Sequence, residues 1–378
     1  MDRPGVANVE IHGHCDPAFV TLREEFERNF TERGEVGASF AATVEGEFVA
    51  DLWAGHRDAA GTLPWEDDTL VCVFSVTKTM TALCALLLVD RGELSFDAPV
   101  THYWPEYGQN GKETTEVRHI MGHSAGLPDF GEPLTHAELY DWEHVIGVLE
   151  RQAPAWRPGE DCAYHALTQG FLVGEIVRRI TGLSLGEFFR DHVAGPLDVD
   201  FHIGLDPRHF CRTGEMLGSG AMPARLARYM KERQSSAPSV RPPVTNSEEF
   251  RRAELPAVNG HGNARSVVRA QTVVANGGTA FGVDLLAPAT IEQIFREQGA
   301  IKGMGARHGI GYGIDGPFSR LMPEGTRSCF WVGGGGSIVI LDHSNRACLA
   351  YAMNRMDFDL LGDRRGTSLV RAFYKGLA

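Results

Sequence analysis

Several things are missing from this chain of 378 residues, and each absence removes a class of function. Basic residues are in the minority: 36 Lys and Arg stand against 49 Asp and Glu, a formal net charge of -13. A nucleic-acid partner normally needs a basic face, so none is expected, and the negative balance reads as a contribution to solubility. No apolar run approaches the roughly 20 residues needed to cross a bilayer. The longest, around Ala82 to Val89, reads as a core helix, and no membrane partner is expected. The N-terminus, Met1-Asp2-Arg3-Pro4-Gly5, has neither the basic start nor the apolar stretch of a secretory signal, which points to a cytoplasmic protein. The seven cysteines form no C-x-x-C pair and no zinc spacing, as expected of reduced, buried thiols. His12-Gly13-His14-Cys15 has metal-ligand chemistry, but no second cluster at suitable spacing joins it. Neither a metal nor a cofactor is expected.

What is present is ordinary globular material, 43% hydrophobic and 22% charged, enough for one large or two moderate domains. The 44 glycines are the outlier and suit strand-rich regions and active-site loops. Phe19, Leu22, Phe26 and Phe30 mark an amphipathic helix between Ala18 and Arg33. Gly37–Val44 and Phe48–Ala54, joined by Glu45-Gly46-Glu47, read as a hairpin. A helix apolar on every side, hence buried, runs from Ser75 to Leu88. Helices are expected near Thr115–His123, Leu134–Arg151, Leu167–Thr181, Leu185–His192 and Pro223–Arg233, with a mobile loop at Gln234–Pro243. Further helices fit Ala264–Ala275, Pro288–Glu297 and Thr367–Leu377. Strands fit Gly309–Ile314, Arg327–Val332, Ser337–Leu341 and Cys348–Met353. The order implies an α+β fold, an antiparallel sheet flanked by helices with a helical insertion.

Four segments carry chemistry. In Ser75-Val76-Thr77-Lys78 the serine and lysine lie three residues apart on one helical face, close enough for the amine to share the hydroxyl proton. Burial would depress the lysine pKa and make it a base. The tetrapeptide alone is a weak signal, and a solvated helix start is the bland reading. The apolar Val71-Cys72-Val73-Phe74 before it argues for a buried position. Gly122-His123-Ser124-Ala125-Gly126 matches the G-x-S-x-G nucleophile elbow, so Ser124 is a rival. Its flanks, with Glu116, Arg118 and His119 before and Pro128 after, lack the buried strand and long helix that elbow needs. Tyr164 sits where a Pro/Gly loop enters a helix; it is a candidate base if a cation such as Lys78 holds its pKa down, and a packing residue otherwise. Finally, Trp331-Val332-Gly333-Gly334-Gly335-Gly336-Ser337 lies between two apolar strands. Its N–H groups can face a developing oxyanion; a bulged turn is the structural alternative, and a phosphate loop lacks its G-K-[ST] and following helix.

Taken in order, these pieces resemble the β-lactamase-like, penicillin-recognising serine hydrolases, and among them the class C-like carboxylesterases called family VIII esterases. The resemblance rests on Phe74-Ser75-Val76-Thr77-Lys78, on His123-Ser124-Ala125-Gly126-Leu127-Pro128, on Tyr164-His165-Ala166, on Gly262-Asn263-Ala264-Arg265-Ser266 and on the Trp331–Ser337 loop. It implies a sheet domain from residues 1–74 and 262–378, a mainly helical domain from 75–261, and a cleft between them. It also implies Ser75 as nucleophile and Lys78 and Tyr164 as the proton-transfer pair, with the base left open between them. The N–H groups of Ser75 and Gly334 would form the oxyanion hole, with Trp331, Gly333 and His165 facing substrate. Two departures matter. The family's K-T-G appears as Trp331-Val332-Gly333, and its Y-x-N as Tyr164-His165-Ala166. Loss of the lysine favours a neutral acyl group. The expectation is therefore a monomeric or small homo-oligomeric serine carboxylesterase acting on short-chain, small-molecule esters. A β-lactamase or D-alanyl peptidase, an acyltransferase and a catalytically silent binding protein are the alternatives.

Overall fold

A computed structural model describes residues 9–218, 235–301, 305–357 and 363–377. Its frame is a nine-stranded antiparallel sheet. From the N-terminal part come β1 (Ile11–Cys15), β2 (Gly37–Val44) and β3 (Glu47–Gly55). Two-residue strands β4 (Val71–Cys72) and β5 (His261–Gly262) pair with each other, as do β6 (Thr279–Ala280) and β7 (Val283–Asp284). The sheet is completed by β8 (Gly299–Ile301), β9 (Ala306–His308), β10 (Gly313–Asp315), β11 (Ser328–Val332), β12 (Ile338–Asp342) and β13 (Ala347–Met353). Its order is β1-β3-β2-β13-β12-β11-β10-β9-β8, so strands from both chain ends meet at the β2–β13 pair.

Burial along the strands explains this arrangement. All residues of β11, β12 and β13 are buried, as continuous apolar runs require when both faces are covered. One face carries the helices Val20–Glu32 and Arg364–Leu377, joined through Phe19 stacked on Phe373 at 5.4 Å. The other carries the helix Ala264–Ala275, which lies on β2, β12 and β13. There Thr43 and Thr272 share a hydrogen bond of 2.8 Å. Toward the edge, β3 alternates between buried and half-buried positions. The β2–β3 turn needs positive φ at both central residues, found at Glu45 (51°) and Gly46 (87°), the geometry that matches the twist of a hairpin.

Between residues 75 and 260 the described residues form helices and turns and contribute no strand to the large sheet. The helix Thr77–Asp90 is buried from Thr77 through Leu88 and packs against the helices Thr168–Thr181 and Leu185–Phe189. Two expectations are corrected in this part of the chain and beyond. Leu134–Arg151 is two helices, His136–Tyr140 and Trp142–Arg151, because the Asp141 side chain accepts from the His144 N–H and starts a new helix there. Of the strand expected at Gly309–Ile314 only Gly313 and Ile314 belong to β10; Gly309–Tyr312 is the turn from β9, where Gly311 takes φ of 75°. The edge strands β1 and β8 were not anticipated. The helix expected at Pro223–Arg233 lies outside the described residues, as does Gln234. Residues 235–243 lack helix and strand, and Ser236 is bonded to Asp129 and Phe130.

Candidate active site

The chain reaches Ser75 through a strained turn. Phe74 has φ of 48°, in the left-handed region that a residue with a Cβ adopts at a cost of about 1–3 kcal/mol. Phe74–Val76 form one 3-10 turn that runs directly into the helix at Thr77, so Ser75 precedes the α-helix rather than opening it. The short β4–β5 pairing and the bond from Val73 N–H to the Gly260 carbonyl, 2.9 Å, hold the approach. Residues 256–260 then lie along the helix. Thr77 Oγ1 accepts from Gly260 N–H at 2.8 Å, and Thr81 Oγ1 donates to the Pro256 carbonyl at 2.6 Å.

Lys78 is fully buried between these elements. Its Nζ lies 2.8 Å from the carbonyl oxygens of both Ala166 and Ala257, and 3.4 Å from Ser75 Oγ. Burial holds its pKa well below the usual lysine value. A neutral amine has two hydrogens and one lone pair, and two carbonyls plus one hydroxyl match that set. Tyr164 donates to Ser75 Oγ at 2.7 Å, and its ring faces Lys78 Nζ at 4.9 Å. Burial pushes the Tyr164 hydroxyl up to about 12, against the opposing pull of its bond to Ser75 and of the nearby Trp331 indole. That indole N–H makes no hydrogen bond of ordinary geometry. Ser75, Lys78 and Tyr164 thus form one bonded group in which both titratable partners favour their neutral forms.

The loop carrying Tyr164 rests on the segment that contains Ser124. The His123 carbonyl accepts from Ala163 N–H at 3.2 Å, and the Ser124 carbonyl accepts from Gly159 N–H at 2.9 Å and from the Trp156 indole at 3.2 Å. Ser124 Oγ itself donates to the His119 carbonyl at 3.4 Å. The G-x-S-x-G match is therefore a support for Tyr164. His165 departs from expectation: it is fully buried, Nδ1 lies 2.6 Å from the Ala163 carbonyl, and Nε2 accepts from Leu127 N–H at 3.0 Å. With both nitrogens committed to backbone, it clamps two loops together and has no polar atom left for substrate.

Trp331 closes the other side. Its ring lies 6.2 Å from that of Tyr164, stacks on His123 at 5.6 Å and meets His308 edge-on at 5.3 Å. Burial keeps His123 well below the usual imidazole range, with the neighbouring His165, His308 and Lys78 adding to the effect. It lowers His165 and His308 to about 4. No spacing in the sequence connects His308 to Trp331. Beyond Trp331 the glycine loop is laid against the approach to Ser75. Ser337 Oγ donates to the Val73 carbonyl at 2.8 Å, and a Cβ on Gly333 would lie 2.3 Å from that same oxygen. Only glycine permits so close a backbone approach. A Cβ on Gly334 would be 3.5 Å from the Phe74 ring.

With this geometry in hand, comparison with known proteins is decisive. The beta-lactamase family model matches residues 24–371. The chain belongs to the beta-lactamase family. Among its members it is 33% identical, over 370 residues, to the esterase/beta-lactamase LipL of Mycobacterium tuberculosis, a match covering 93% of this chain and 84% of that one. A crystal structure of a family VIII carboxylesterase superposes with a TM-score of 0.90 at 35% identity, covering 97% of this chain and all of that one. A penicillin-binding protein homologue from Caulobacter crescentus superposes with 0.89 at 34% identity and the same coverage. This beta-lactamase-family chain is a serine hydrolase with an α+β fold. Among its described residues no helix is long and apolar enough to cross a membrane.

Proposed function

We propose that the protein is a carboxylesterase that hydrolyses short-chain, uncharged esters through an acyl intermediate on Ser75. The observation carrying this reading is the Ser75 hydroxyl bonded to Tyr164 at 2.7 Å with the Lys78 amine 3.4 Å away. With Lys78 neutral and Tyr164 protonated, Lys78 takes the Ser75 proton as Oγ attacks the ester carbonyl. The N–H groups of Ser75 and Gly334 receive the oxyanion, an assignment supported by the docking of the glycine loop on Val73 and Phe74. Tyr164 hands a proton to the departing alkoxide and is restored from Lys78. Water then attacks the acyl-enzyme, with the same groups working in reverse.

Trp331 supports the preference for neutral acyl groups. An indole stacked on a neutral imidazole offers no cation to a substrate carboxylate. The two-domain division is part of the same proposal: residues 75–261 bring Ser75, Lys78 and Tyr164, while 262–378 bring Trp331 and the glycine loop, with the cleft between. Turnover of p-nitrophenyl butyrate is expected to exceed that of nitrocefin and of a D-Ala-D-Ala peptide by at least about 100-fold in kcat/KM. Faster turnover of either of the latter two would overturn the assignment.

A further inference from the structure

The glycine loop is held from beneath by a buried ionic cluster that the catalytic proposal does not use. Arg365, near the start of the terminal helix, is buried, and each of its five N–H donors has an acceptor. Nε and Nη2 both reach Asp363. Nη1 reaches Glu35 Oε2 at 2.7 Å and the Arg355 carbonyl at 2.9 Å, and Nη2 also reaches the Gly335 carbonyl at 3.3 Å. Glu35 in turn accepts from the Tyr351 hydroxyl and from Val36 N–H. Burying one guanidinium and two carboxylates is expensive, and their mutual attraction often does no more than cancel that cost. Such a cluster is better explained by what it positions.

What it positions is a peptide group. The Gly335 carbonyl also accepts from Asp357 N–H at 2.8 Å, so two donors fix the peptide joining Gly335 to Gly336. The N–H of that same peptide donates to the Gly333 carbonyl at 3.2 Å. The Gly333 carbonyl belongs to the next peptide in the relay, whose N–H is that of Gly334. Gly335 and Gly336 take φ of 93° and 124° to permit this, and a Cβ on Gly336 would lie 2.7 Å from Asp363 Oδ2. Because C=O and N–H point in opposite directions across a trans peptide, guanidinium, peptide and peptide run head to tail and end on the Gly334 N–H.

We propose that Arg365 is a positioning residue for the oxyanion hole, aiming the Gly334 N–H and strengthening it as a donor through two successive peptide groups. The inference rests on the assignment of Gly334 to that hole. Hydrogen bonds in a chain polarise one another by about 10–30% each, and a donor fixed in advance needs no reorganisation when charge develops. Both effects act where the oxyanion exists, in the transition state, and so lower kcat rather than raise KM when lost.

The test compares Arg365→Gln with wild type and with Tyr351→Phe, which loosens the same cluster at Glu35 without touching Gly335. A fluorophosphonate adduct on Ser75 counts the competent sites in each preparation, so kcat refers to folded enzyme. For Arg365→Gln, kcat on p-nitrophenyl butyrate is expected to fall about tenfold with KM within about twofold, and a boronic acid mimic of the tetrahedral state to bind about tenfold more weakly. Tyr351→Phe is expected to lower Tm but keep both quantities within about twofold. Should Arg365→Gln fail to fold, Arg365→Lys keeps the charge without the five-donor fork, and its kcat is expected to fall about threefold. Unchanged kcat and boronate affinity in the folded Arg365 variant, with only Tm lowered, overturns the proposal. Turnover that survives Ser75→Ala overturns the assignment of the site instead.

Discussion

Ser75 and Ser124 both sit in recognisable short motifs, and their surroundings differ in everything nucleophilic chemistry requires. Ser75 follows a residue in left-handed conformation, accepts from Tyr164 at 2.7 Å and has the Lys78 amine at 3.4 Å. Ser124 is buried after a five-residue helix, and its hydroxyl donates to a backbone carbonyl. The first serine has an amine and a phenol hydroxyl beside it from residues 3 and 89 positions away, while the second gives its own backbone to hold the loop of Tyr164. A five-letter match describes one turn of chain. Reactivity is decided by which distant groups that turn is folded against.

The comparison breaks most directly at Ser75. Ser75→Ala is expected to lower kcat/KM for p-nitrophenyl butyrate by at least about 10⁴-fold, and Lys78→Met, which keeps the buried stem, by about 10³-fold or more. With Lys78 as base, activity is lost as pH falls through its lowered folded pKa, so the acid limb of the kcat/KM profile lies well below the ordinary lysine value. An acid limb near the raised Tyr164 value of about 12 would instead make Tyr164 the base. Tyr164→Phe is expected to cost about 10²-fold in kcat, measured on folded protein of matched Tm.

The surroundings of Tyr164 also set how the fold responds to acid. His165 and His308 have folded pKa values lowered to about 4, against about 6.5 in an unfolded chain. Between those values the unfolded chain binds protons that the native state refuses, so their contribution is fully present above about pH 6.5 and is lost as pH falls toward about 4. The urea midpoint is expected to drop between pH 7 and pH 5, and His308→Gln to flatten that dependence. An unchanged slope in the variant would show that His308 is not held neutral. The smallest effect is expected at the rival serine: Ser124→Ala, which leaves the supporting backbone intact, should keep kcat/KM within about threefold.

Much of this was legible in the chain where the information is local. The Ser75–Lys78 pair, the all-apolar helix behind it, the β2–β3 hairpin and the continuous strands β11 to β13 follow from spacing, periodicity and turn chemistry. Tyr164 was reachable only because its loop, read with the other motifs, resembled a family. The rest depends on contacts that no residue identity announces. Lys78 is caged by the carbonyls of Ala166 and Ala257, and any residue there would offer the same oxygen. His308 on β9 meets Trp331 on β11 across the intervening β10, and Arg365 reaches the Gly335 carbonyl from 30 residues further along the chain. His165 is hidden for a related reason: its neighbour Tyr164 bonds to Ser75, but its own nitrogens close on Leu127 and Ala163.

The central claim, that folded surroundings and not motif strength select the nucleophile, is tested by covalent labelling. A fluorophosphonate probe followed by peptide mass mapping is expected to leave a stoichiometric adduct on Ser75 and none on Ser124, and to leave neither labelled in Ser75→Ala. An adduct on Ser124, or full labelling that persists in Ser75→Ala, would contradict the account.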